Sequence, residues 1–150
     1  MGDVKSEPFR AYSGVPQGSH LGPLLFLLFV NDIPSHINNC HVLLYADDVK
    51  LFYVIKSISD CDTLLVNIDA FCHWCCYNGF TLNCAKCSVM SFSRSRSPNM
   101  YNFHLLGEEL ARCSLVKALG VVLDPKLTFS LHFDYVFAKG FSMLGFMKRN

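Results

Sequence analysis

The first strongly apolar segment of the chain predicts a short buried helix. Leu24 to Val30 is an unbroken apolar run, with Ser19 and Pro23 as helix-start residues before it and Pro34 as a stop signal after it. A helix that is apolar all round has no face suited to water. We therefore expect it to lie inside the core.

Two further apolar stretches predict a β-hairpin. Val42–Tyr45 and Val49–Ile55 are rich in β-branched and aromatic residues, and Asp47-Asp48 lies between them. The two acidic residues are therefore expected at the tip of the hairpin.

The remaining pattern predicts an irregular mixture of helices and strands. From Asp60 to Asn78 apolar positions recur every three or four residues, which predicts an amphipathic helix that ends at Gly79. An extended segment, Val4–Ser13, and a Gly/Pro-punctuated loop, Ser13–Ser19, come first in the chain. The later elements predicted are strands at Ser88–Phe92, Phe103–Leu106, Glu109–Ala111 and Ala118–Leu123, and a helix at Ser130–Arg149.

Composition indicates one intracellular domain that meets a partner. The 150 residues are 51% hydrophobic and only 17% charged, which is more apolar than a self-sufficient domain needs. The longest apolar run is far shorter than the ~18 to 20 residues that span a bilayer, and the N-terminus has no secretory pattern. We expect no membrane association, and the cytoplasm and the nucleus stay open as locations.

Charge is distributed unevenly along the chain. Residues 1–75 contain 4 Lys/Arg and 8 Asp/Glu, whereas residues 76–150 contain 9 and 4. This asymmetry is expected if the acidic half binds divalent cations and the basic half binds phosphates. Solvation of surface charges alone would also produce it. The biased segment Ser93–Pro98, SRSRSP, is typical of a flexible surface loop.

The adjacent carboxylates of Asp47 and Asp48 are the strongest candidate for chemistry. Two like charges on one turn repel each other, and a bound cation removes that repulsion. Hard oxygen ligands suit Mg²⁺, and a two-metal site can support in-line nucleotidyl transfer. Taken alone, the pair is better explained as a solvated hairpin turn, because Asp is common in turns and an isolated Asp-Asp pair has little specificity.

The surrounding motifs carry a resemblance to a known family. Ser13–Ser19, SGVPQGS, and Leu21–Phe26, LGPLLF, are followed by Tyr45–Asp48, YADD. This ordered set resembles the reverse transcriptases of non-long-terminal-repeat retrotransposons. The resemblance implies that Asp47 and Asp48 bind Mg²⁺ and are catalytic.

The same resemblance assigns roles around the incoming nucleotide. Gln17, Gly18 and Tyr45 match positions that face the nucleotide and the template strand. Lys86 matches a lysine that protonates the leaving pyrophosphate in the family. A lysine near a triphosphate can also bind it through charge alone, without transferring a proton. The alternative without any role in catalysis is a solvated residue at the edge of a strand.

The second half of the chain resembles the later motifs of the family. Trp74 and Gly79–Asn83 match the motif that contains the Lys86 position. Leu119 and Gly120 resemble the motif that grips the primer. Thr128 to Arg149 resembles the start of the helical thumb.

The resemblance implies an α+β fold, namely a partial polymerase palm at 1–128 and the start of a thumb-like helical segment at 129–150. The palm is expected as an antiparallel sheet with packed helices. In the family an earlier strand with another metal-binding Asp, and the fingers before it, precede this region. We therefore expect a fragment that is inactive alone and associates with the upstream polymerase segment. Its partners in the complete enzyme would be an RNA template, a DNA primer and deoxynucleotide triphosphates.

Two other functions stay open at this point. One is a non-catalytic retroelement remnant that binds nucleic acid or a protein through its basic half. The other is a small zinc-stabilised interaction module, because Cys72, Cys75, Cys84 and Cys87 form two CxxC pairs. Without a secretory signal, the eight cysteines are expected to be reduced.

Overall fold

The computed structural model describes residues 14–15, 18–95 and 100–149. The first half contains helix α1 (Gly22–Val30), a 3₁₀ turn (Ile33–His36), strands β1 (His41–Tyr45) and β2 (Asp48–Phe52), and helix α2 (Ile58–Tyr77). The second half contains a 3₁₀ turn (Cys84–Lys86), strands β3 (Ser88–Val89), β4 (His104–Leu105), β5 (Glu108–Glu109), β6 (Ala111–Arg112), β7 (Val116–Ala118) and β8 (Val121–Leu123), and helix α3 (Ser130–Arg149). The fold class is therefore a mixture of helices and small sheets, consistent with α+β.

The predicted extended segment Val4–Ser13 and the loop residue Gln17 lie outside the described residues. Gly18 and Ser19 are described. The prediction that Ser19 caps α1 is wrong, because the N-cap is Leu21, which provides no side-chain hydrogen bond. The Ser19 hydroxyl still accepts a hydrogen bond from the Gly22 N–H at 3.0 Å, just before the helix.

The strands pair two by two. β1–β2, β4–β5 and β7–β8 are antiparallel, and β3–β6 is parallel. Within the described part of the chain this makes four two-stranded sheets, which differs from the single antiparallel sheet expected for a palm. Three of the ladders contain only two or three residue pairs.

Helix α2 is the element around which the core is built. It begins at a capping box, in which the Asp60 carboxylate accepts hydrogen bonds from the Lys56 and Ser57 N–H groups at 2.8 and 2.7 Å. These bonds lower the pKa of Asp60. The helix ends before Gly79, whose φ of +74° suits a residue without a Cβ. The predicted amphipathic helix is confirmed, with its start two residues earlier than expected.

Two clusters of buried side chains lie along α2. One combines Val30, Ile33 and Ile37 with Trp74 and Cys75. The other combines Cys61, Ile68 and Cys72 with Phe103 and Leu105. Leu51 and Leu82 pack against both, so the two clusters form a continuous apolar region between α2, the β1–β2 hairpin and the later strands.

Helix α1 is not buried, contrary to the expectation. Its outward side chains, Leu24, Leu25, Leu27 and Leu28, are 51% to 66% exposed. One side of the helix faces the core, where Phe26 packs against the first cluster and Val30 belongs to it. On this side the Phe29 ring lies beside Trp74 and Phe80, with ring centroids 6.1 and 5.5 Å apart. The helix also ends at Val30, and Pro34 lies in the 3₁₀ turn that follows.

Helix α3 has the predicted bounds, and none of its described residues is buried. It is attached to the β7–β8 hairpin through polar contacts. The Lys117 Nζ lies 3.0 Å from the Tyr135 hydroxyl, and the Val122 N–H donates to the His132 Nδ1 at 3.4 Å. None of the helices in the part of the chain that the structure describes combines the length and the hydrophobicity of a bilayer-spanning segment.

Candidate active site

Asp47 and Asp48 lie at the end of the β1–β2 hairpin, as predicted. Tyr45 pairs with Asp48, so Ala46 and Asp47 form a two-residue turn. Ala46 has a φ of +50°, the left-handed conformation that tight hairpin turns need at their first position. Asp47 is therefore a turn residue, whereas Asp48 is the first residue of β2.

The hairpin has one face toward the core and one open face. Val42, Leu44 and Leu51 pack against the cluster that contains Trp74 and Cys75. Because side chains alternate along a strand, Leu43 and Tyr45 point the other way, and both are more than half exposed. The core contacts of α2 and the hairpin therefore leave the open face at the tip accessible.

The open face contains the paired side chains of Tyr45 and Asp48. Cross-strand partners lie on the same face of an antiparallel ladder. Lys50 follows two residues after Asp48 and so shares this face, while His41 stacks on Phe52 at 4.9 Å at the far end of the ladder. The carboxylate of Asp48 is thus presented beside an aromatic ring.

Both carboxylates are free to take a ligand. Asp47 and Asp48 are exposed, and neither side chain forms a hydrogen bond or salt bridge with another described residue. No group of three or more His, Cys, Asp or Glu side chains is gathered for a metal ion anywhere in the described residues. Two carboxylates nevertheless fit Mg²⁺, which keeps several waters and commonly binds one or two protein carboxylates plus substrate phosphates.

The structure does not bring Lys86 into contact with these carboxylates. Lys86 ends the Cys84–Lys86 turn, its side chain is exposed, and its backbone N–H donates to the Asn83 carbonyl at 3.0 Å. It forms no hydrogen bond or salt bridge with Asp47 or Asp48. Lys86 and the two carboxylates can therefore act in one reaction only through a substrate that contacts both.

Gly18 is required by its backbone conformation. Its φ is +83°, and a Cβ added there would meet nothing within 4 Å. The left-handed conformation, not crowding by the chain itself, is what favours glycine here.

Leu119 and Gly120 lie in a turn, which corrects the prediction of a continuous strand over Ala118–Leu123. Ala118 pairs with Val121, and the two residues between them have φ values of +49° and +87°. Positive φ at both central positions is the conformation of a tight hairpin turn. The apolar character of both flanks concealed this turn in the sequence.

Asp124 has a structural role that the sequence pattern alone did not reveal. Its carboxylate accepts bonds from the Lys126, Thr128 and Phe129 N–H groups and from the Thr128 hydroxyl, at 2.8 to 3.0 Å. Desolvation raises the pKa of Asp124, but these hydrogen bonds outweigh it and the pKa is lowered. Asp124 thereby ties the end of β8 to the start of α3. The spacing of Asp124 and Thr128 is the sequence signal that could have identified it.

The four cysteines of the zinc alternative are not arranged as a metal site. Cys72 and Cys75 are buried in the two core clusters, and Cys84 and Cys87 pack against the second. Burial raises the pKa of Cys72 and Cys87, and raises that of Cys75 to about 11. All four have free thiols, and no metal-binding group of three or more side chains includes them in the part of the chain described.

Comparison with known proteins decides the family. The family model described as "Reverse transcriptase (RNA-dependent DNA polymerase)" matches residues 1–146. The chain belongs to the reverse transcriptase family.

Relatives of this reverse transcriptase segment are polymerases of mobile elements. The RNA-directed DNA polymerase from mobile element jockey of Drosophila melanogaster is 36% identical over 128 residues. The probable RNA-directed DNA polymerases from transposon BS and transposon X-element of the same organism are 33% and 32% identical. Each match covers 80% of this chain and 14% of the relative, so the chain spans only a small part of these proteins. No solved structure matches the chain significantly.

These matches confirm the predicted resemblance to reverse transcriptases of non-long-terminal-repeat retrotransposons. The reverse transcriptase segment contains Tyr45, Asp47 and Asp48 on one hairpin and Leu119 and Gly120 on another. Gln17, the remaining predicted nucleotide-facing residue, lies outside the described residues.

Proposed function

We propose that this chain is part of the palm of an RNA-directed DNA polymerase, in which Asp47 and Asp48 are catalytic metal ligands. The observation that carries the proposal is the tight β1–β2 turn, which presents two adjacent, exposed and unpaired carboxylates on a hairpin supported by the core. Family membership makes nucleotidyl transfer the reaction to which such a pair belongs.

The two carboxylates supply charge and position. Asp47 and Asp48 concentrate negative charge on one turn and form no salt bridge with a described cation, which favours a divalent cation over a purely structural role. Bound Mg²⁺ would lower the pKa of the attacking primer hydroxyl and neutralise charge on the leaving pyrophosphate. The described residues contain no third acidic or histidine ligand beside the pair. We propose that the remaining metal ligand comes from another part of a complete polymerase, one of the same length as the relatives.

Tyr45 and the 13–19 loop are proposed to position the nucleotide and the template. Tyr45 is 64% exposed and lies on the same face as its partner Asp48, so its ring can pack against a base or sugar held at the carboxylates. Gly18 leaves open space around its backbone, which allows a strand to approach. Gln17 is assigned to this group by family resemblance alone.

Lys86 is proposed to act on the leaving pyrophosphate, as a proton donor or as a fixed positive charge. Its side chain is exposed and has no described partner, so it is free to reach a triphosphate. The hairpin turn at Leu119 and Gly120 is proposed to contact the primer, because it is exposed and lies on the hairpin that precedes α3. Residues 1–128 would then belong to the palm and residues 129–150 to the start of the thumb.

Primer extension tests the proposal. The region of the jockey polymerase that matches this chain is exchanged for the present sequence, and extension of a DNA primer on an RNA template is measured. We expect extension by the exchanged polymerase and none by Asp47→Asn or Asp48→Asn variants. The 150-residue chain alone is expected to be inactive in the same assay.

A matched control distinguishes the effect of losing one negative charge from the effect of losing a metal ligand. Asp69→Asn removes one exposed carboxylate from α2, away from the turn, and is expected to leave extension unchanged. If the exchanged polymerase extends primers equally well with Asp47→Asn and Asp48→Asn, the assignment of the two ligands is wrong. Extension by the isolated chain would show that the 150 residues suffice.

A further inference from the structure

A cleft in the second half of the chain lies apart from the carboxylate hairpin. The segment after β3 meets the loop between β8 and α3, and the Ser93 N–H donates a hydrogen bond to the Pro125 carbonyl at 3.0 Å. The cleft between them has a volume of about 200 Å³ and is lined by Phe92, Ser93, Arg94, Pro125, Lys126 and Leu127. We call it the 92–127 cleft.

The 92–127 cleft contains two cations without counterions. Arg94 and Lys126 are exposed, and neither side chain forms a salt bridge or hydrogen bond with another described residue. The nearby carboxylate on the same loop, Asp124, is already occupied by three backbone N–H groups and the Thr128 hydroxyl. The cleft is therefore suited to an anion that supplies the missing negative charge.

The same cleft presents exposed apolar surface beside the cations. Phe92 is 49% exposed and Leu127 is 47% exposed. A small inorganic anion would use the cations and leave Phe92 uncovered. A nucleic-acid single strand uses both, because its phosphates pair with cations and its bases stack on aromatic rings.

We propose that the 92–127 cleft binds the phosphodiester backbone of a nucleic-acid single strand, with Arg94 and Lys126 on phosphates and Phe92 against a base. The inference rests on the proposed polymerase function, to which it adds a second contact with the strand. The cleft directly follows the β7–β8 hairpin and precedes α3, so a strand held at that hairpin could continue into it. Arg94 thus gains a binding role that the surface-loop interpretation of Ser93–Pro98 did not assign.

Fluorescence anisotropy with a short labelled oligothymidylate tests the cleft. The full chain is compared with Arg94→Ala/Lys126→Ala at several salt concentrations. Each lost phosphate contact on a single strand lowers the slope of log affinity against log salt by about 0.7, so the slope is expected to fall by about 1.4. The matched control is Lys56→Ala/Lys148→Ala, which removes the same charge from exposed sites outside the cleft. We expect this control to retain the slope of the unmodified chain.

Phe92→Leu tests the stacking contact separately. We expect binding of the base-bearing strand to weaken by about five-fold or more, and binding of an abasic strand with the same phosphates to be unchanged. Thermal unfolding of every variant shows that the fold is retained, since all substituted side chains are exposed.

Several outcomes would overturn the proposal. These are no binding by the unmodified chain, equal slopes for the cleft variant and its control, no effect of Phe92→Leu, or equal competition by polyglutamate, which would indicate an acidic protein partner. The experiments distinguish a wrong proposal for the cleft from a wrong proposal for the active site. Asp47→Asn/Asp48→Asn is expected to retain the salt slope while abolishing primer extension in the exchanged polymerase.

Discussion

Tyr45 and Asp48 are cross-strand partners that close a two-residue turn, so the tyrosine ring and the carboxylate share the open face of the hairpin. The partner strand positions on the other face, Val42 and Leu51, pack into the core. The hairpin therefore supports a charged tip on an apolar base. This division explains how two unpaired carboxylates are tolerated, because water solvates them while the core stabilises the strands.

Removal of the two carboxylates should leave the fold intact and abolish its response to magnesium. Asp47→Asn/Asp48→Asn takes away repelling, exposed charges that have no described partner, so the midpoint of thermal unfolding should be unchanged or slightly higher without Mg²⁺. Addition of MgCl₂ should raise the midpoint of the unmodified chain but not that of the variant. Asp69→Asn is the control and should respond like the unmodified chain. An equal response in all three would contradict a metal site at the turn.

Substitution of Trp74 should be strongly destabilising through packing. Trp74 is 5% exposed and stacks on Phe80 with ring centroids 5.6 Å apart, with Phe29 at 6.1 Å. Trp74→Ala removes these contacts and should cost about 3 to 5 kcal/mol of unfolding free energy. Urea denaturation followed by circular dichroism measures the change.

Trp74→Phe is the informative companion substitution. The Trp74 Nε1 is buried and has no hydrogen-bond partner in the described structure, so phenylalanine removes an unsatisfied donor as well as some volume. We expect Trp74→Phe to cost clearly less than Trp74→Ala. Equal losses would show that a phenyl ring at this position does not restore the packing against Phe80 and Phe29.

The start of α3 should become less stable in acid because of Asp124. Hydrogen bonds hold the pKa of this carboxylate below its ordinary value of 3.8, so the ionised form stabilises the fold. That contribution is present above the unfolded pKa and is lost as pH falls below 3.8 through the folded pKa. Asp124→Asn should have a lower midpoint of unfolding at neutral pH and a smaller further loss on acidification. Thermal scans between neutral pH and strongly acidic pH check this, and an unchanged acid dependence would contradict it.

Cys75 should resist alkylation until the core opens. Burial and the neighbouring Cys72 raise the pKa of Cys75 to about 11, which keeps its thiol protonated and unreactive at neutral pH. Cys76 is exposed and should react first with iodoacetamide, as followed by peptide mass spectrometry. Early modification of Cys75 in the folded chain would show that α2 is more open than described.

The raised pKa of Cys75 also predicts how the stability of the fold changes at alkaline pH. A thiol with a raised folded pKa stabilises the fold below its unfolded pKa of 9.0, and this contribution is lost as pH rises through about 11. Cys75→Ala should therefore lose less stability than the unmodified chain between these values. Thermal unfolding as a function of pH measures the difference.

The local pattern of residues was sufficient to determine α2, α3 and the Asp47-Asp48 hairpin. Apolar spacing and the flanking polar residues specify each of these elements within a few neighbours along the chain. The ordered motifs Ser13–Ser19, Leu21–Phe26 and Tyr45–Asp48 were together sufficient to predict the family, because each motif is a run of adjacent residues.

The tertiary structure alone decided which apolar faces are covered. The residues of α1 are apolar on all sides, and only their contacts with Trp74 and Phe80 show that one side is buried and the others are exposed. The separation of the strands into small ladders likewise depends on pairing between residues far apart in the chain, such as Ser88 with Ala111. Exposure and strand pairing depend on the part of the chain that packs against a segment. The sequence of the segment itself does not specify which part that is.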